Sequence, residues 1–172
     1  GAFAAIDRAK AAGIPVIFDV DYRPYSWPSA QVAHEVLLRA SQQSDVIIGN
    51  DEEFGFIANG FDKGLDMARA LAATTAALII YKMGEKGAIT LAEGREVQTG
   101  IYNVEALKPA GAGDAFMAGM LTGIANGMSL HDAVLRGSAC AAIVVSKPGC
   151  APAMPDTEQL ADWLAQCPEN QG

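Results

Sequence analysis

The stretch GIPVIFDVDYRPYSWPSAQVAHEVLLRASQQSDVIIGN, residues 13–50, decides the fold. Its opening run, IPVIFDV, is short, apolar and β-rich, the pattern of a strand buried on both faces. SAQVAHEVLLRASQ has helical periodicity, with a Ser or Pro start. DVIIG is a second buried strand. Strand, helix and strand in that order make a βαβ unit, which lays the two strands parallel in one sheet.

Outward from this unit the alternation continues. AFAAIDRAKAAG precedes it as a helix, with a Gly stop and then Pro15. NDEEFGFIANG and GLDMARALAAT read as helices, and AALIIYKM as a third strand. KGAITLAEGREVQTGIY reads as antiparallel strands turning at Glu93 and Gly94. Helices are predicted near 113–126, 130–147 and 157–166. The fold class expected is α/β: three layers, α/β/α, around a mostly parallel doubly wound sheet, with antiparallel strands at one side. With no repeat, linker or low-complexity tract, residues 1–172 are read as one domain. Ligands of such sheets bind beyond the carboxyl ends of the strands. Polar clusters stand at those ends: Asp19 to Arg23, Asn50 to Glu53, and Lys82 to Gly84.

Composition narrows the classes. The 172 residues are 51% hydrophobic, enough for a globular core. A net charge of −8 argues against a general nucleic-acid binder, which needs Lys and Arg for phosphates. No apolar run approaches the roughly 20 residues of a membrane span, and no membrane partner is expected. Cys140, Cys150 and Cys167 suit neither a zinc site nor a disulfide framework, so a reduced, cytoplasmic setting is expected. His34 and His131 are expected at the surface, with no metal partner at useful spacing. Cys140 is expected in the core, and Cys150, just past Gly149, near the substrate.

The chemistry concentrates in EALKPAGAGDAFMAGML, residues 105–121. Gly111, Ala112 and Gly113 lack bulk and lead into an apolar helix that is expected to be buried. A helix start offers unpaired N–H groups and a partial positive charge, so an anion can settle on this backbone. Asp114 stands at that point. It suits either a first-turn carboxylate that stabilises the helix or a base that takes a proton from a hydroxyl attacking phosphorus. The dinucleotide fingerprint fits only its first half, since the third small residue is replaced by Phe116. No Gly-Lys-Ser or Gly-Lys-Thr exists to make a P-loop.

KPAGAGDAFMAGML resembles the second signature of the PfkB (ribokinase-like) carbohydrate kinases. The resemblance implies an anion hole at Gly111, Ala112 and Gly113, and a catalytic base at Asp114. FDVDYRPYSWPS resembles the family's Asp-x-Asn-x-Arg segment, with Asp21 in place of Asn. It implies substrate contacts for Asp21 and Arg23; on chemistry alone, Arg23 suits an ion pair with Asp19 or Asp21 equally well. GNDEEF resembles the Asn-x-x-Glu motif and implies Mg²⁺ and phosphate binding near Asn50 and Glu53, through water for Glu53. The same two residues also read as a capping box. YKMGEKGAIT resembles a nucleotide-binding Gly-x-x-Gly segment and implies ATP contacts for Lys82, Gly84 and Gly87, although a plain turn explains the glycines too. GSACAAIVVSKPGC resembles the helix and loop beside the adenine pocket, which brings in Ser138.

The likeness covers nearly the whole chain and implies ATP-dependent phosphorylation of a sugar acid. It is closest to the branch of the family serving inositol catabolism. Related kinases for 2-keto-3-deoxygluconate, fructose or nucleosides, and a noncatalytic nucleotide-binding module, are the alternatives. Many relatives carry Asp-Thr, which helps hold a monovalent cation, where this chain has Lys108 and Pro109. Lys108 is therefore expected to substitute for that cation near the nucleotide, and dependence on potassium to be weak or absent. The chain opens mid-pattern and reads as the C-terminal part of a longer kinase, without its N-terminal strands and lid. The piece alone is expected to be inactive, and its apolar sheet edge to favour a homo-oligomer.

Overall fold

The computed structural model describes residues 1–108 and 110–166. The described chain forms two compact units, one of residues 1–84 and 88–97, the other of residues 85–87 and 98 onward.

The first unit opens with α1 (Ala2–Ala11) and continues through β1 (Ile17–Asp19), α2 (Ala30–Ser41), β2 (Val46–Asn50), α3 (Asp51–Ile57), α4 (Gly64–Thr74), β3 (Leu78–Lys82), β4 (Ala88–Ala92) and most of β5 (Arg95–Thr99), whose last two residues belong to the second unit. The five strands form one sheet in sequence order. β1, β2 and β3 are parallel, with Ile47 aligned on Phe18 and on Ile79. β4 returns antiparallel to β3, and Leu91 lies opposite Ile79. The antiparallel strands thus sit at one side, as expected. β4 and β5 meet through Glu93 and Gly94, both at positive φ (52° and 71°), the backbone of a two-residue hairpin turn.

Alternation explains the packing of this sheet. Ile47, Ile79 and Leu91 share one core with Leu37 of α2, Phe54 and Ile57 of α3, and Ala68 and Leu71 of α4. The intervening Ile48, Ile80 and Thr90 point to the other face and are buried as well. The expectation of a buried strand therefore holds for β2, and β3 is buried on both faces as well. That expectation fails for β1, where Ile17 keeps 43% of its surface exposed. The reason is position: β1 ends the sheet order and has β2 alone as its neighbour.

The second unit is helical: α5 (Ala112–Ala125), α6 (Leu130–Val145) and α7 (Thr157–Gln166). α5 and α6 run antiparallel and close together. A Cβ on Gly119 would come 2.7 Å from Cys140 Sγ, and one on Gly137 2.7 Å from the Phe116 carbonyl oxygen. α5 buries Ala115, Phe116, Gly119, Met120 and Gly123. Asp114, Ala118, Thr122 and Ala125 are exposed, so the helix is buried along one side and not all round as its composition suggests. Ala139, Cys140, Ile143 and Val144 of α6 form the unit's core with Ala153 and Leu160. Among the described residues, no helix is long and apolar enough to cross a membrane.

Candidate active site

Three parallel strands deliver the first cluster. β1 ends at Asp19, β2 at Asn50 and β3 at Lys82, so all three side chains stand at carboxyl ends, and Asn50 is the register partner of Lys82. Asn50 then caps α3. Its Oδ1 accepts the Glu53 N–H at 2.8 Å, and Glu53 Oε2 accepts the Asn50 N–H at 2.7 Å. The capping box anticipated at these residues is present.

Glu53 has a second task that its sequence context conceals. Its Oε1 accepts the backbone N–H of Tyr22 at 3.1 Å. Tyr22 also lays its ring on Phe56, with centroids 3.9 Å apart. Through these contacts α3 holds the loop after β1 in place. Burial pushes the Glu53 carboxyl above the ordinary glutamate range. The amides of Asn50 and Tyr22 and the nearby Lys82 charge pull it back, while Asp19 pushes the same way as burial.

Asp21 and Arg23 flank Tyr22. Asp21 has φ 38°, in the left-handed region that Asp and Asn tolerate better than most residues. Arg23 donates to Asp21 Oδ1 at 2.6 Å and to the Tyr22 carbonyl at 3.1 Å. The ion pair weighed from sequence is thus formed, between half-exposed partners. Gly84 and Gly87 bound the short turn from β3 to β4, both at positive φ. At Gly87 any Cβ would strike the Thr99 carbonyl, so the turn itself requires glycine there.

The second cluster surrounds the start of α5. Gly111 is the N-cap, in the left-handed region at φ 87°, and no side chain caps this helix. By contrast, Ser29 caps α2 and Ser129 caps α6. The amides of Ala112, Gly113 and Asp114 occupy the first-turn positions that have no partner within a helix. Asp114, third in that turn, lies on the exposed side of α5. Lys108 stands just before the turn and donates from Nζ to the carbonyls of Ala110 at 2.9 Å and Val144 at 3.5 Å. Its ammonium is engaged with backbone, an arrangement its expected nucleotide contact does not suggest. Cys150 is exposed beside the same turn, with Sγ 3.6 Å from the Ala110 carbonyl. Ser138 is buried within α6, roughly two turns before Val144. The structure therefore groups Lys108 with Gly111 to Asp114 and sets Ser138 farther along the helix.

Magnesium finds a limited donor set. Both Glu53 oxygens and Asn50 Oδ1 already accept N–H bonds. Among the described residues no three His, Cys, Asp or Glu side chains converge as a metal cage. Mg²⁺ commonly retains water and takes few protein ligands, so these residues fit an outer-shell role. The expected surface position of His34 needs correction: it is half-buried, with Nδ1 3.0 Å from the Ile57 carbonyl at the end of α3. A helix end leaves carbonyls without partners, and an imidazole N–H can serve one. His131 is exposed and Cys140 buried, as expected.

A mixed sheet whose three parallel strands end in polar residues, joined in the chain to a glycine-entered helix bearing one acid, defines a class. Residues 2–157 match the model of the pfkB family carbohydrate kinases, and the chain belongs to that family. It is 39% identical over 166 residues to the 5-dehydro-2-deoxygluconokinase of Photobacterium profundum, and the match covers 93% of this chain and 50% of that protein. The protein of the same name from Bacillus velezensis is 34% identical over 162 residues, covering 93% and 49%. The chain thus spans about half the length of the curated relatives it matches. The crystal structure of fructokinase from Vibrio cholerae with fructose, ADP and calcium ion superposes with a TM-score of 0.84. The two share 26% identity over 95% of this chain and 55% of that one. The ribokinase-like α/β fold class expected from sequence is confirmed.

Proposed function

We propose that residues 1–172 are the C-terminal, nucleotide-binding part of a kinase domain. The complete protein would transfer the γ-phosphoryl group of ATP to a hydroxyl of a sugar acid, 5-dehydro-2-deoxy-D-gluconate, in the cytoplasm. The names of the relatives support the substrate. The observation that carries the chemistry is the entry to α5: a left-handed Gly111, no side-chain cap, and an exposed Asp114 in the first turn.

In this reading the Asp114 carboxylate accepts the hydroxyl proton as the oxygen attacks phosphorus. The amides of Gly111, Ala112 and Gly113 stabilise the charge on the phosphoryl group in flight. Lys82, Gly84, Gly87, Lys108 and Ser138 serve the nucleotide, and Asp21 and Arg23 the sugar acid. Bound Mg²⁺ would neutralise phosphate charge, with Glu53 and Asn50 holding it through water. Because Lys108 brings its own positive charge, the complete enzyme should not require potassium.

The test is phosphorylation by the full-length protein, with ATP and a panel of 5-dehydro-2-deoxygluconate, 2-keto-3-deoxygluconate, fructose and ribosides. Asp114→Asn should lower kcat by about 10²–10⁴-fold with ATP affinity kept. ATP binding without turnover on any substrate would point instead to a noncatalytic module. Strong activation by potassium over tetramethylammonium would refute the cation argument.

A further inference from the structure

We propose that Tyr22 is a positioning residue: its ring, stacked on Phe56, aims the Arg23 guanidinium and so sets the preference for an acidic over a neutral sugar. The proposal rests on the reading of Arg23 as a contact for the sugar acid, and adds what holds that contact in place.

Tyr22 is fixed at both ends of its backbone and at its ring. Its N–H donates to Glu53 Oε1 at 3.1 Å. Its side chain is buried and lies on Phe56, with ring centroids 3.9 Å apart. Phe61 meets Phe56 edge-on at 5.3 Å and extends the stack. The Tyr22 carbonyl accepts from Arg23 Nη1 at 3.1 Å, while Asp21 Oδ1 accepts from Nη2 at 2.6 Å. The guanidinium is therefore held by the two residues that precede it.

Those two holders differ in firmness. The side chains of Arg23 and Asp21 keep 51% and 63% of their surface exposed, so their ion pair is screened by water and is a weak anchor. Asp21 also sits at φ 38°, and a strained backbone persists only where its surroundings over-determine it. Tyr22 supplies that restraint, through a ring packed on α3 and an amide bonded to a buried carboxylate. Without the ring the segment relaxes, and both holders of the guanidinium move with it. The arginine fork has N–H donors beyond these two contacts. It pairs a carboxylate in a fixed planar geometry, and a side chain left free to turn loses entropy on binding. Misaiming the fork should weaken binding of an acid and spare a neutral ligand of the same shape.

Tyr22→Leu in the full-length kinase is assayed with 5-dehydro-2-deoxygluconate and with its carboxamide. The readout is the ratio of kcat/KM for acid over amide, which does not depend on how much of the protein is folded. The ratio should fall about 10-fold, through the KM for the acid. Tyr22→Phe, which keeps the ring, should restore it. In an Arg23→Ala background, Tyr22→Leu should change the ratio no further. An unchanged ratio in Tyr22→Leu, where Arg23→Ala abolishes the preference, would overturn the proposal. So would a fall that persists in the Arg23→Ala background, or one that Tyr22→Phe shares in full. If Tyr22→Leu is too unstable to assay, Phe56→Leu removes the other ring of the stack and decides by the same ratio. A wild-type ratio in Arg23→Ala, or no turnover of the acid by the wild type, would instead overturn the functional reading on which the proposal stands.

Discussion

Asn50 and Glu53 exchange hydrogen bonds across the first turn of α3, at 2.8 and 2.7 Å, and Glu53 gives its remaining oxygen to the Tyr22 amide. One buried carboxylate therefore joins the ends of two strands. In Glu53→Gln one carbonyl oxygen remains, and the side-chain NH₂ faces an amide donor. The substitution should cost about 1–3 kcal/mol, read from urea unfolding of the full-length protein.

The same carboxyl should give stability a pH dependence. Its folded pKa is raised above the ordinary value of 4.5, chiefly by burial. Between those two values the folded chain keeps a proton that the unfolded chain has released. This contribution is thus fully present below 4.5 and is lost as pH rises through the raised value. The unfolding free energy of Glu53→Gln should lack this slope. Equal slopes in wild type and variant would rule the assignment out.

Gly111→Ala tests the left-handed cap. At φ 87° an L-residue is strained by about 1–2 kcal/mol, and the new methyl would press on Val144 and Cys150. The expected outcome is a lower melting temperature together with a loss of kcat that exceeds the rise in KM.

Gly137→Ala tests the packing of α6 against α5. Its Cβ would sit 2.7 Å from the Phe116 carbonyl oxygen, which belongs to the backbone of α5 and cannot rotate away. Overpacking of this kind costs about 1–3 kcal/mol, measured by denaturant midpoint.

The 172-residue chain alone should phosphorylate little or nothing under conditions where the full-length protein turns over. Phosphoryl transfer depends on positioning and exclusion of water. A coupled assay comparing the two at equal concentration decides this, and comparable rates would refute it.

Much of this architecture was legible because its signals are local. Apolar runs marked β2 and β3, the Glu93 and Gly94 pair marked the hairpin, and the spacing of Asn50 and Glu53 marked their cap. The exposure of Ile17 depends on the order of strands in space, which a single run does not encode. The bond from Tyr22 to Glu53 spans 31 positions and that from Lys108 to Val144 spans 36, so neither follows from local spacing. The half-burial of His34 likewise depends on where the end of α3 falls. At Asp21 a signal was present: Asp is one of the residue types that tolerate the left-handed backbone found there.

The two sides of α5 separate upkeep from chemistry. Ala115, Phe116, Gly119, Met120 and Gly123 anchor the helix, whereas Asp114 contributes no buried contact to it. Replacing the carboxylate by its amide should therefore yield a protein that folds normally but stalls. Such a protein is a practical trap for catching both substrates together in a crystal.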